Sequence, residues 1–217
     1  MIRMLWIVLF WGAGWLNGYA QSHFSEGILR YTLTVLPAKS GATPRQAGTY
    51  HVTLKGSQIR RDLLTDSAHQ TTVLCNNRTG ITTMLQIKAG NRYAITFSPV
   101  AWQERTARYQ KYQMEPIRQG SKDTPGGPCQ PYLVRYADGR QARLCVSTQL
   151  LAEANVFERF PDLKTIPVSF DLFLRSGAQV HFELQEAVVQ PVPESAFEVP
   201  AGYTRLDPAS LPAADEP

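Results

Sequence analysis

A chain of 217 residues with 43% hydrophobic and 18% charged side chains carries enough apolar material for one folded core, which excludes a disordered or fibrous protein. Its 22 basic and 18 acidic residues leave a formal charge of +4, too mild and too scattered for a nucleic-acid-binding surface. The densest basic stretch, Arg105, Arg108 and Lys111 interleaved with Tyr109 and Tyr112, is better explained as a solvated face than as a contact for phosphate or lipid headgroups.

Taken in chain order, residues 1–20 come first. Arg3 precedes an apolar run over residues 4–15, and Gly18-Tyr19-Ala20 places small residues before a cut ahead of Gln21. This pattern predicts a cleavable signal peptide over 1–20. The run is shorter than the roughly 20 apolar residues that span a bilayer, and no cysteine follows the cut to take a lipid anchor. The mature part is therefore expected to be periplasmic or secreted, with no membrane span.

Strand signals dominate the mature chain: β-branched and aromatic residues alternating with polar ones between turn formers. Residues 27–36 put Leu29, Tyr31, Leu33 and Val35 on one face; a Pro/Gly/Ser loop over 37–48 follows, and 49–54 resumes the alternation with Tyr50, Val52 and Leu54 together. A turn at Lys55-Gly56-Ser57 leads to a strand over 58–64. Stretches 71–75, 80–87 and 92–97, separated by Asn76-Asn77 and Gly90-Asn91, suit an antiparallel meander. Residues 100–114 fit either a helix or an exposed strand, and 120–131 reads as an irregular surface loop. Strands over 132–136 and 140–146 flank Asp138-Gly139, the strongest hairpin signal. Ser147 can cap a helix over 148–160, with Leu150, Ala154 and Phe157 at helical spacing before Pro161. A last hairpin over 168–174 and 179–189 turns at Ser176-Gly177. The expected organisation is one domain over 21–206 and a frayed tail over 207–217.

Three cysteines, Cys75, Cys129 and Cys145, allow one disulfide and leave one thiol in an oxidising compartment. Cys129 and Cys145 are the preferred pair because they bracket the Asp138-Gly139 hairpin. A two-residue turn would set Tyr132 opposite Cys145, so Cys129 must loop back through the segment before Tyr132. Cys75 with Cys129 is the competing pair, and Cys75 itself reads as a buried strand residue rather than a nucleophile.

Catalytic apparatus is not visible. The chain contains no Gly-x-Ser-x-Gly elbow, no His-Glu-x-x-His or Cys-x-x-Cys metal spacing, and no phosphate loop, since Pro125-Gly126-Gly127-Pro128 lacks the lysine and the helix. Of the four histidines, only His181 has a carboxylate at ligand spacing, Glu183, and two ligands are too few for a zinc site. Glu183 with Glu186, and Glu153 with Glu158, read as solvated charges. Asn77-Arg78-Thr79 matches a glycosylation sequon. No metal, no cofactor and no enzymatic activity are expected.

The ending Pro193-Glu194-Ser195-Ala196-Phe197-Glu198-Val199-Pro200-Ala201-Gly202-Tyr203 resembles the close of an uncharacterised family of exported bacterial proteins with LolA/LolB-like architecture. Glu26-Gly27-x-x-Arg30-Tyr31, the segment 56–62 (GSQIRRD), Pro128-Cys129 onward and Ile166-Pro167-Val168 fit the same pattern in order. The resemblance implies a mainly β fold: a strongly curved antiparallel sheet, a half-open β-barrel, with one or two helices covering its concave face. In lipoprotein carriers of that shape the cavity holds acyl chains. An incompletely closed barrel leaves an apolar inner wall that a helix or a ligand must cover, and Tyr31, Leu33, Tyr50, Val52, Leu85, Ile87, Leu150 and Phe157 are the candidate cavity residues. The leading expectation is an exported, non-catalytic protein holding an apolar ligand such as lipid or a lipidated protein segment. The alternatives are an envelope assembly factor with a filled core and an outer apolar patch, and, third, an unrecognised hydrolase gathering His181 or His51 with a carboxylate and a hydroxyl.

Overall fold

The computed structural model describes residues 22–36, 43–65, 69–88, 90–107, 111–118, 123–153, 156–173 and 179–210. The expected signal peptide, the Ser176-Gly177 turn, Arg108, Tyr109 and the tail beyond residue 210 lie outside the described residues.

Strands β1 (Ser22–His23), β2 (Glu26–Leu36), β3 (Arg45–Lys55), β4 (Gln58–Leu64), β5 (His69–Asn76), β6 (Thr82–Lys88) and β7 (Asn91–Phe97) precede helix α1 (Pro99–Thr106). Then come β8 (Tyr112–Pro116), β9 (Cys129–Tyr136), β10 (Gln141–Leu151), β11 (Thr165–Phe173), β12 (Gln179–Val188) and β13 (Thr204–Leu206). They form one 13-stranded sheet in the order β13-β7-β6-β5-β4-β3-β2-β12-β11-β10-β9-β8, with β1 joining the end of β10. Two antiparallel meanders therefore meet at one seam, where β12 returns to pair with β2.

Alternation of side chains decides which face is inside. Leu29, Val52, Arg61, Val73, Met84 and Ile95 lie in one row across β2 to β7, and every one of them is buried. Across the seam the same face continues through Leu184, Phe182 and Phe170 to Leu144 and Val134. This is the apolar face, and the main core lies on it.

The mainly β class holds, but the strongly curved, half-open barrel does not form. The sheet is an open path, neither closed nor strongly curled, and its end strands β13 and β8 do not pair with each other. Closure would need a continuous ladder between the edges. Here one edge is the three-residue β13 and the other the five-residue β8, which ends at Pro116, a residue with no N–H to offer a further strand.

Helices differ as well. Among the described residues α1 is the one α-helix, and it arises in the ambiguous stretch 100–114: the Ser98 hydroxyl accepts from Ala101 N–H and Pro99 occupies the first turn, an N-terminal signal of the usual kind. The helix expected over 148–160 does not form among the described residues of that stretch, 148–153 and 156–160. Ser147 does make cap-like bonds, accepting from Gln149 N–H at 3.1 Å and Leu150 N–H at 2.9 Å. The backbone nevertheless continues as β10, because β1 pairs with Leu150 and Leu151 on one side and Thr165 of β11 pairs with Leu151 on the other. Neighbouring strands outcompete local helix propensity there.

The Asp138-Gly139 hairpin closes over three residues, not two. Tyr136 C=O accepts from Gly139 N–H, Tyr136 N–H donates to Arg140 C=O, and Gly139 has φ 83°, the geometry of a type I turn with a bulge. The register moves by one, so that Leu144 faces Tyr132 and Ser147 faces Cys129. Cys129 thus lies diagonal to Cys145 on one face, and the two form a disulfide with a Cα separation of 5.5 Å. Cys75 is the free cysteine and is half-buried rather than buried. The loop expected over 37–48 also ends early, since β3 starts at Arg45.

Candidate functional site

The apolar face between β2, β3, β11 and β12 is walled with aromatic rings. Tyr31 meets Tyr50, Phe157 and Phe170 at centroid distances of 5.9, 6.1 and 5.8 Å, and Phe170 stacks on Phe182 at 4.5 Å. Phe160 closes the far end against Phe170 and Tyr112. Tyr31 donates its phenol proton to the Pro167 carbonyl at 2.8 Å, and burial pushes its ionisation well above the ordinary tyrosine range. The Tyr50 phenol is likewise raised by burial.

What covers this wall is not a helix. Val156, Phe157 and Phe160, all buried, project from the segment 152–164, whose ends are joined by Ala152 N–H to Lys164 C=O and whose described interior makes turn-type bonds, Phe160 N–H to Phe157 C=O and Leu163 N–H to Phe160 C=O. One side chain of the sheet fastens it. Arg61 of β4, 4% exposed, donates from Nε to the Val156 carbonyl at 2.8 Å and from a terminal nitrogen to Glu158 at 3.1 Å. A charge on an otherwise apolar face is thus satisfied by the segment that the face holds.

Six of the eight candidate cavity residues gather here: Tyr31, Leu33, Val52 and Phe157 belong to the main core, and the partly buried Tyr50 and Leu150 pack against it. Leu85 and Ile87 do not join them. Leu85 lies in the row Asp62, Thr72, Leu85, Ala94 on the opposite face, where it packs with Leu74, Ala94 and Tyr203. Ile87, one step of two along β6, faces the same way. Arg61, Phe160, Phe170 and Phe182 were missed. Phe170 and Phe182 carried a period-two signal within their strands, and Arg61 stood between Ile59 and Leu63 in the same parity.

The opposite face carries the C-terminal strap 189–203 and explains the two N-terminal motifs. In Glu26-Gly27-x-x-Arg30-Tyr31, the Glu26 carboxylate accepts from Val192 N–H at 2.8 Å, Arg30 pairs with Glu186, and Tyr31 turns to the core. In the 56–62 motif, Ile59 enters the core while Arg60 chelates Asp62 at 2.7 and 3.0 Å and donates to the Ala196 carbonyl. Lys55 and Gln58 bond Glu194, and these hydrogen bonds hold the Glu194 carboxyl below its ordinary range. Beside the strap runs a groove of about 440 Å³, lined by Leu74, Ile81, Phe197 and Val199 among others.

On the apolar face a second opening, about 460 Å³, separates α1 from the covering segment. Cys75 and Thr82 line it together with Trp102 and Gln103 of α1 and with Glu158 and Asp162.

Among the described residues no three His, Cys, Asp or Glu side chains come together as a metal site needs, and no helix is long and apolar enough to cross a membrane. His181 is paired not with Glu183 but with Asp171, Nδ1 to Oδ1 at 2.6 Å. Asp171 also accepts from Arg143 N–H. The pair lies on the polar face, outside both openings.

No family model matches the chain, and no curated protein is similar to it in sequence. Similar solved structures include an uncharacterised conserved protein from Thermus thermophilus (9% identity, 84% of this chain and 91% of that one, TM-score 0.48). A LolA superfamily protein from Nitrosomonas europaea is similar at 8% identity over 81% of this chain and 91% of its own, TM-score 0.40. MucB, solved in complex with MucA, is similar at 14% identity over 81% of this chain and 55% of its own, TM-score 0.38. These are distant likenesses and assign no activity or ligand to this chain.

Proposed function

We propose that this is an exported, non-catalytic binding protein whose apolar ligand takes the place now filled by Val156, Phe157 and Phe160. The observation that carries this reading is the nature of the cover: an aromatic wall built on strands is closed by an irregular segment that packs Val156, Phe157 and Phe160 into the core and is tied to β4 by Arg61. Residues 1–20, with their signal-peptide pattern, and the Cys129–Cys145 bond both suit an oxidising compartment outside the cytoplasm. Magnitudes permit the exchange. Burying three such side chains stabilises the closed form by about 6 kcal/mol, and at about 0.8 kcal/mol per CH₂ an acyl chain of about eight methylenes offsets it. Long-chain lipids exceed that threshold.

The experiment is native mass spectrometry of protein purified from the exported fraction, with palmitate titrated into the wild type and into Phe157→Ala. Co-purified lipid, and palmitate binding about tenfold tighter in the variant, are expected. Lipid-free protein that takes up no palmitate in either form would end the reading.

A second reading, an envelope interaction factor, draws on a different observation. Val156, Phe157 and Phe160 pack into the core cluster, while Ile81 and Val199 are 47% and 38% exposed on the rim of the groove beside the strap. Ile81→Asp would abolish partner capture under this reading and leave palmitate uptake unchanged.

A further inference from the structure

The opening between α1 and the covering segment contains the one cysteine left outside the disulfide. Cys75 and Thr82 face each other across β5 and β6 and form its floor. Thr82 is 0% exposed, yet its hydroxyl has no hydrogen-bond partner. A buried hydroxyl in that state wants a polar neighbour, and the opening that Thr82 lines offers room for one. Charge narrows the chemistry. Glu158 and Asp162 line the space against a single Arg61, itself paired with Glu158, so the surplus is negative and favours an ammonium group. A space of about 460 Å³ suits a small molecule and is too narrow for a folded partner.

We propose that Cys75 is a modification site at which a low-molecular-weight aminothiol is held as a mixed disulfide. In this step the Cys75 thiolate attacks one sulfur of a small symmetrical disulfide, R–S–S–R. The bond from Cys75 to that sulfur forms as the R–S–S–R bond breaks, and the departing thiolate takes up the proton that Cys75 released. The small disulfide is the oxidant. The adduct's amine lies toward Asp162 and Glu158, and a polar atom of the adduct meets Thr82. The opening adjoins the aromatic chamber through Arg61 and Glu158, but its test reads an adduct on Cys75 and does not depend on lipid binding.

The test treats the full chain, with Cys129–Cys145 intact, with cystamine, with hydroxyethyl disulfide and with dithiodiglycolate, and follows the adduct by intact-mass spectrometry. Each rate is divided by that of the chain unfolded in guanidinium. Cystamine should lead dithiodiglycolate by about tenfold in the folded protein, Asp162→Asn should reduce that lead by about threefold, and Cys75→Ser should give no adduct. Thr82→Val, which keeps the shape, should shorten the adduct's lifetime against reductant by about fivefold. Failure to form an adduct, rates blind to charge, an adduct lifetime unchanged in Thr82→Val, or a disulfide-linked dimer in place of the adduct would each overturn the proposal.

Discussion

A methyl group added at Gly27 would overlap the Val188 carbonyl oxygen, and the backbone there has φ 142°, a conformation that side chains resist. The position lies next to the seam on which both meanders depend. Gly27→Ala is expected to destabilise the fold by about 2 kcal/mol or more, read as a fall in the urea midpoint. Asp62 is the second residue on which much rests, because it accepts from Arg60 twice and from Thr72 at 2.6 Å while only partly exposed. Asp62→Ala should cost about 2 kcal/mol and loosen the strap, since Arg60 also holds the Ala196 carbonyl.

At the scale of elements, the covering segment and the strap behave as two separate closures on opposite faces. Removing the Phe160 ring, 1% exposed between Phe170 and Tyr112, should cost about 3–5 kcal/mol. Arg61→Met fills much the same volume but releases the Val156 carbonyl and leaves Glu158 unpaired. Its expected effect is about 3 kcal/mol of lost stability, with faster amide exchange over residues 156–163 than anywhere in the sheet. The strap has a pH signature. The Glu194 carboxyl is depressed by its bonds from Lys55 and Gln58, so its contribution is complete above the ordinary glutamate value of 4.5 and disappears as the pH falls through its lower folded value. The protection factors of the Val192 and Ala196 amides, corrected for the intrinsic slowing of exchange in acid, should therefore fall on acidification below that point, and Glu194→Gln should remove most of the dependence.

For the whole molecule, the disulfide joins β9 to β10 across a sequence separation of 16. Its reduction should lower stability by about 2–3 kcal/mol, measured as the difference between urea midpoints with and without reductant. Both cysteines belong to adjacent strands, so the sheet order should survive reduction, which far-UV circular dichroism would show. The open path of the sheet is kept open by its ends: a three-residue β13 and a β8 that stops at Pro116 give no ladder for closure.

Much of the sheet was legible in the sequence, because alternation is a local property of each strand: the parity of Leu29, Tyr31 and Leu33 or of Tyr50 and Val52 needs no partner to be seen. Ser98-Pro99 could also have marked α1, being a local capping signal. The cysteine pair and its register were half legible. The hairpin brackets both residues, but the bulge at Gly139 that places Cys129 diagonal to Cys145 depends on a backbone conformation that Asp-Gly permits without requiring. Tertiary structure alone decided the rest. Whether 148–160 would be helix was settled by β1 and β11, which offered the backbone of Leu150 and Leu151 better partners than a helical turn could. Leu85 and Ile87 are as apolar as Leu33, and only the register carried from strand to strand shows that they face away from the aromatic wall. Composition and local pattern report which side of its own strand a residue takes; which wall that side belongs to, and whether the sheet's ends meet, are properties of pairings between segments far apart in the chain.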